Sequence, residues 1–136
     1  MDLEQRMTTI PLLAGLDGRV RKRLDAVGKQ RKYDATEAIV EEDQVGTALY
    51  IVLSGSVRVE RGGTEIGRLG SGDFFGELAL IEQHPRSATV IANEVTECLL
   101  FPAWEFTALL SEHPEIAVPI MRALIDRIHR REHHEA

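Results

Sequence analysis

The sequence predicts a mainly β domain, a barrel or sandwich of the jelly-roll type, with helices at both ends. Short apolar or alternating runs recur between turn residues from about residue 31 to 101. Helical spacing of apolar residues is confined to the segments before and after them. The chain has 136 residues, 43% hydrophobic and 28% charged, which is the size and composition of one globular domain.

Taken in order, residues 3–28 read as helical, interrupted near Pro11 and Gly15, with Leu16, Val20, Leu24 and Val27 on one apolar face. Gly28 stands where a helix stop is expected. Residues 48–53 form a buried-strand candidate ended by Ser54 and Gly55. Next, 56–60 alternates, sending Val57 and Val59 to one face, and Gly62-Gly63 is a hairpin signal that returns the chain through 64–69. Strands over 87–91 and 95–101 complete the set before Pro102. Residues 103–110 then read as a helix, and Pro114 opens another with proline in its first turn. Ile116, Ile120, Leu124 and Ile128 recur every four residues and are expected to form its apolar stripe. Pro119 is expected to kink that helix or loosen its first turn. One domain over 1–136 follows: helical at 1–30, strands at 31–102, closing helices at 103–131.

Net charge is −6, but it is unevenly spread. The first 32 residues hold eight Lys/Arg against four Asp/Glu, whereas 33–121 hold four basic residues. Overall acidity argues against direct nucleic-acid binding, which depends on neutralising phosphates. The basic cluster at 19–23 fits a solvated helix face, or a docking surface for an acidic partner. No run approaches the roughly eighteen apolar residues of a membrane span, and the start does not read as a signal peptide. A single cysteine, Cys98, excludes an internal disulfide framework, and its apolar surroundings mark an inert core thiol. A cytoplasmic location is the expectation.

One stretch, 75–88, concentrates the chemistry. It places Glu77 and Arg86 nine positions apart. From Leu69 to Met121 there is no Lys, and Arg86 is the only Arg. A lone guanidinium between Pro85 and Ser87-Ala88 reads as the anchor for one small anion. Ser87 and Ala88 are small enough to bring backbone N–H groups close, and Gly76 has no Cβ to obstruct the approach. A short helix starting near Gly76 would add free N–H groups. The alternative is that Glu77 and Arg86 simply pair with each other.

The segments Phe75-Gly76-Glu77-Leu78-Ala79-Leu80 and Pro85-Arg86-Ser87-Ala88-Thr89-Val90 closely resemble the phosphate-binding cassette of cyclic nucleotide-binding domains. That family includes catabolite activator, cAMP-dependent kinase regulatory and channel-gating domains, and the resemblance runs from about Ile10 to about Arg131. It implies an antiparallel β-roll with N-terminal helices and two C-terminal helices. It also implies a regulatory sensor that binds a purine 3′,5′-cyclic mononucleotide and moves its last helix on binding. Arg86, Ser87, Ala88 and Gly76 would hold the phosphate, and Glu77 with Leu78 the ribose, Glu77 accepting from the 2′-hydroxyl.

Val59, Ile66, Phe74 and Val90 match positions lining the family's base pocket and serve equally as ordinary core. Arg127 matches a base-stacking position, or is a solvated helix residue. Ser87 occurs with cAMP in activator-like members, so cAMP is expected, with cGMP possible. The family often carries a Gly where this chain has Glu82-Gln83-His84, and Glu82 places an extra carboxylate near the anion.

Expected partners are the nucleotide, an effector protein or fused domain, and a second copy through the last helix. No cofactor is expected. His129 and His133, four apart, lack a third metal ligand, and no Ser/His/Asp or Cys/His arrangement appears, so neither a metal site nor an enzyme is expected. The competing reading is a protein-interaction module that keeps this fold without binding nucleotide.

Overall fold

The computed structural model describes residues 3–77 and 85–135. Three helices lead, α1 (Leu3–Met7), α2 (Pro11–Ala14) and α3 (Gly18–Val27). The strands are β1 (Lys29–Tyr33), β2 (Ala38–Val40), β3 (Ala48–Ser54), β4 (Ser56–Arg61), β5 (Thr64–Gly70), β6 (Phe74–Phe75), β7 (Thr89–Ala92) and β8 (Thr96–Pro102). α4 (Ala103–Glu112), a 3₁₀ turn (Pro114–Ile116) and α5 (Ala117–Glu135) follow. The strands form two four-stranded sheets, ordered β1-β8-β3-β6 and β2-β7-β4-β5, with every strand pair antiparallel. This is the expected β-roll with helices at both ends.

Strand parity divides the core in two. On β3, Leu49 and Ile51 join Leu99 and Phe101 of β8 beneath the helices, packed with Met7, Leu24, Phe106, Ile116 and Ile120. Their neighbours Val52 and Cys98 point the other way, into the roll, with Val57, Val90 and Phe75. β6 follows the same alternation. Phe74 belongs to the helical core and Phe75 to the roll core.

The strand candidates and the 103–110 helix form with ends shifted by one or two residues, the helix read from Pro114 opens as the 3₁₀ turn before α5, and the short helix expected near Gly76 falls outside the described residues. β1 was not legible as a strand. Its sequence KQRKY leaves four of five residues exposed, because β1 is the edge of its sheet and its basic side chains guard that edge. β6 is two residues long and carries no period. At the 62–63 hairpin both glycines have positive φ, +59° and +81°, as a primed turn requires. Gly28 does end α3, but with φ −73° it is no left-handed cap. Its need is space: a Cβ there would lie 2.9 Å from Leu99 Cδ1.

The expected α5 stripe is corrected at its far end. A four-residue repeat overshoots each 3.6-residue turn by about 40°, so the stripe rotates off the core. Ile116 and Ile120 are buried and Leu124 packs partly, but Ile128 is exposed. Ile128 instead joins Val118, Met121 and Ile125 in an outward apolar row at three- and four-residue spacing. The inward seam runs Ile116, Ile120, Ala123, Arg127. Pro119 sits in the first turn of α5, where its missing N–H costs no helical bond.

Burial raises the Cys98 thiol to about 12. It likewise raises Tyr33 to about 12, with smaller contributions from Tyr50 and Cys98. Both groups hold their protons more tightly when folded, so the stability they supply is complete below pH 9 and is lost as pH rises towards 12. Urea denaturation at stepped alkaline pH should show that decline beginning near pH 9. Cys98→Ala should delay its onset towards pH 10, where Tyr33 takes over.

Candidate functional site

A cavity of about 520 Å³ opens between the β4–β5 hairpin, residues 75–77 and 85–90, and α5. Gly76, Glu77, Arg86, Ser87 and Ala88 all line it, and Val59, Ile66, Val90 and Arg127 do so too. Phe74 does not, because its side chain points into the helical core; Phe75, one residue on, lines the cavity. Leu78 lies outside the described residues, as do Glu82, Gln83 and His84.

Arg86 is pinned by its own backbone. Its N–H donates to the Gln44 carbonyl at 2.7 Å, and its carbonyl accepts from the Asp43 N–H at 2.9 Å. Pro85 forms a bridge with Val45 beside it. Farther along, the Arg61 Nε–H donates to the Ser87 carbonyl at 3.0 Å, and the Glu42 N–H donates to Thr89 Oγ1 at 2.9 Å. Residues 85–89 are thus tied to the loop before β3 and to the hairpin tip.

The Arg86 guanidinium enters a slot between two glycines and donates from Nη2 to the Ala48 carbonyl at 3.0 Å. A Cβ on Gly46 would lie 2.4 Å from its Cζ, and one on Gly76 2.5 Å from its Nη1. Gly76 also takes φ +85°, in the left-handed region. Burial lowers the Arg86 pKa, and Tyr50 and Glu77 act in the opposite direction. An arginine so placed still keeps its charge at neutral pH.

Glu77 does not take Arg86 as its ion-pair partner. Its Oε1 lies 3.8 Å from Nη1 of Arg127. Arg127 also donates from Nη2 to the Phe74 carbonyl at 2.8 Å, and its guanidinium sits 4.6 Å over the Phe74 ring. The plain Glu77–Arg86 pair is therefore set aside, and Arg127 is no solvated helix residue. The inward seam of α5 was the signal for that, since 127 lies seven residues after the buried Ile120. Arg86 is solitary in the sequence but not in space: Arg61, Arg68, Arg127 and Arg130 also border the cavity. These residues come from β4, β5 and α5, too far apart in sequence to be read as a cluster.

A half-buried cation, small residues beside it, and a carboxylate across the same cavity can hold a compact anion that also carries a hydroxyl group.

The family model described as "Cyclic nucleotide-binding domain" matches residues 30–113. The cAMP-dependent protein kinase regulatory subunit of Mycosarcoma maydis is 34% identical over 98 residues, covering 69% of this chain and 19% of that protein. Among solved structures, the catabolite activator protein of Thermus thermophilus superposes with a TM-score of 0.78 at 32% identity, over 91% of this chain and 61% of its own. The regulatory domain of Toxoplasma gondii PKA, co-crystallised with cAMP, gives a TM-score of 0.76 at 25% identity, over 88% and 48%. The chain spans well under half the length of most of its curated relatives.

Proposed function

The chain belongs to the cyclic nucleotide-binding domain family, and on that premise we propose that it binds a purine 3′,5′-cyclic mononucleotide, cAMP before cGMP, as a regulatory sensor. The observation that carries this reading is that Arg86 and Glu77 border one cavity while leaving each other unpaired. A cyclic phosphate diester bears one negative charge. One guanidinium and the amide N–H groups beside Ser87 and Ala88 match it without a metal. Glu77 accepts from the ribose 2′-hydroxyl. The hydrophobic wall of Val59, Val90 and Phe75 receives the base, with Ile66 at its rim. Leu78, beside Glu77 in sequence, is assigned to the ribose by the family resemblance and lies outside the described residues.

Output runs through α5. Arg127 ties that helix both to β6, at the Phe74 carbonyl, and to Glu77, so a ribose that engages Glu77 changes the partner of Arg127. Binding then favours one placement of α5 over another, which is the differential affinity any ligand-driven shift requires. The outward row of Val118, Met121, Ile125 and Ile128 is where we place the partner that reads α5, an effector, a fused domain or a second copy of this chain.

Glu77→Ala, which removes the acceptor altogether, tests the ribose contact. A charge-assisted hydrogen bond is worth about 1.5–3 kcal/mol, so cAMP affinity should fall by about tenfold to a hundredfold. Affinity for 2′-deoxy-cAMP should change by no more than about twofold. Equal losses for the two ligands would remove Glu77 from the ribose.

A further inference from the structure

We infer that Tyr50 is a positioning residue for Arg86: its ring face aims the guanidinium at the anion without neutralising it. The inference rests on the phosphate role proposed for Arg86. Arg86 Cζ lies 5.9 Å from the centroid of the Tyr50 ring, within reach of a cation–π attraction. The ring itself is held in place. It stacks on Phe75 with centroids 5.0 Å apart and planes 3° from parallel, and the two residues face each other across the β3–β6 pairing. Phe75 is buried, borders the cavity and sits in the roll core. A rigid aromatic pair thus links the core to the anion-binding cation.

Among the described residues the other direct contacts of the guanidinium are neutral as well, with Glu77 acting on it only from beyond ion-pair distance. The guanidinium donates to the Ala48 carbonyl and is flanked by the backbone at Gly46 and Gly76. A carboxylate brace would hold it equally well, but a monoanionic ligand would then have to share or displace that partner. An aromatic face attracts the cation through its quadrupole and leaves the net charge and the outward N–H groups for the ligand.

The test is titration with cAMP, alongside the NMR resonance of the Arg86 Nε–Hε group in ligand-free protein, assigned by its loss in Arg86→Lys. Tyr50→Phe keeps the ring and should bind within about twofold of the parent chain. Tyr50→Leu lacks a π face and should bind about fivefold to tenfold more weakly, equally for cAMP and 2′-deoxy-cAMP. It should also move the Arg86 resonance towards its unstructured position, which Tyr50→Phe should not. Tyr50→Met, a flexible filler of the same gap, is read in the same way if the leucine variant does not fold. Unchanged affinity in Tyr50→Leu, an equal loss in Tyr50→Phe, or an Arg86 resonance indifferent to both would overturn the assignment. If the parent chain binds neither nucleotide, the functional reading fails, and the resonance alone still decides whether Tyr50 orients Arg86.

Discussion

Arg86→Ala should weaken cAMP binding by at least about a hundredfold while the domain stays folded. The estimate comes from the number of bonds lost. A planar guanidinium offers several donors to one phosphate, each charge-assisted bond is worth about 1.5–3 kcal/mol, and two of them already exceed a hundredfold in affinity. The structural cost is smaller. Among the described residues Arg86 makes one side-chain hydrogen bond, to the Ala48 carbonyl, and its backbone bonds to Asp43 and Gln44 survive truncation. Calorimetric titration paired with urea denaturation separates the two effects. A variant that folds and still binds within about threefold of the parent would show that the phosphate is held elsewhere.

Gly76→Ala should damage both binding and stability. Its φ of +85° is strained for any side chain, at about 1–2 kcal/mol. Its Cβ would also meet the Ala48 carbonyl at 2.7 Å and Arg86 Nη1 at 2.5 Å. The first obstacle is the backbone of β3, which cannot turn aside, so the strand end and the arginine slot shift together. A stability loss of about 2–3 kcal/mol and a drop of more than tenfold in cAMP affinity are expected. Gly46→Ala provides the contrast. The atoms nearest its Cβ all belong to the Arg86 side chain, so it should cost affinity with little loss of stability. Equal stability losses in the two variants would contradict this account of the slot.

The sequence announces the anion anchor because chemistry and chain continuity coincide there. Gly76, Glu77, Arg86, Ser87 and Ala88 lie within one short stretch and all border the cavity. The base side depends instead on strand parity. Phe74 and Phe75 are equally aromatic, and which one faces the cavity is decided by the pairing of Tyr50 with Phe75 and Ile51 with Phe74. Nothing in a two-residue strand reveals that parity. Arg127 was a candidate only through its match to the family's base-stacking position, and its ties to Phe74 and Glu77 depend on how α5 docks. β1 escaped for a third reason: an edge strand guarded by charge shows no alternation.

The central claim is that this cavity takes a cyclic nucleotide by its phosphate and its ribose. Calorimetric titration of the unmodified chain with cAMP and with cGMP tests it most directly. The account predicts saturable binding at one nucleotide per chain, tighter for cAMP. It also predicts a rise in unfolding free energy of about 2.7 kcal/mol at a hundredfold excess over the dissociation constant. No heat and no stabilisation with either nucleotide at millimolar concentration would contradict it.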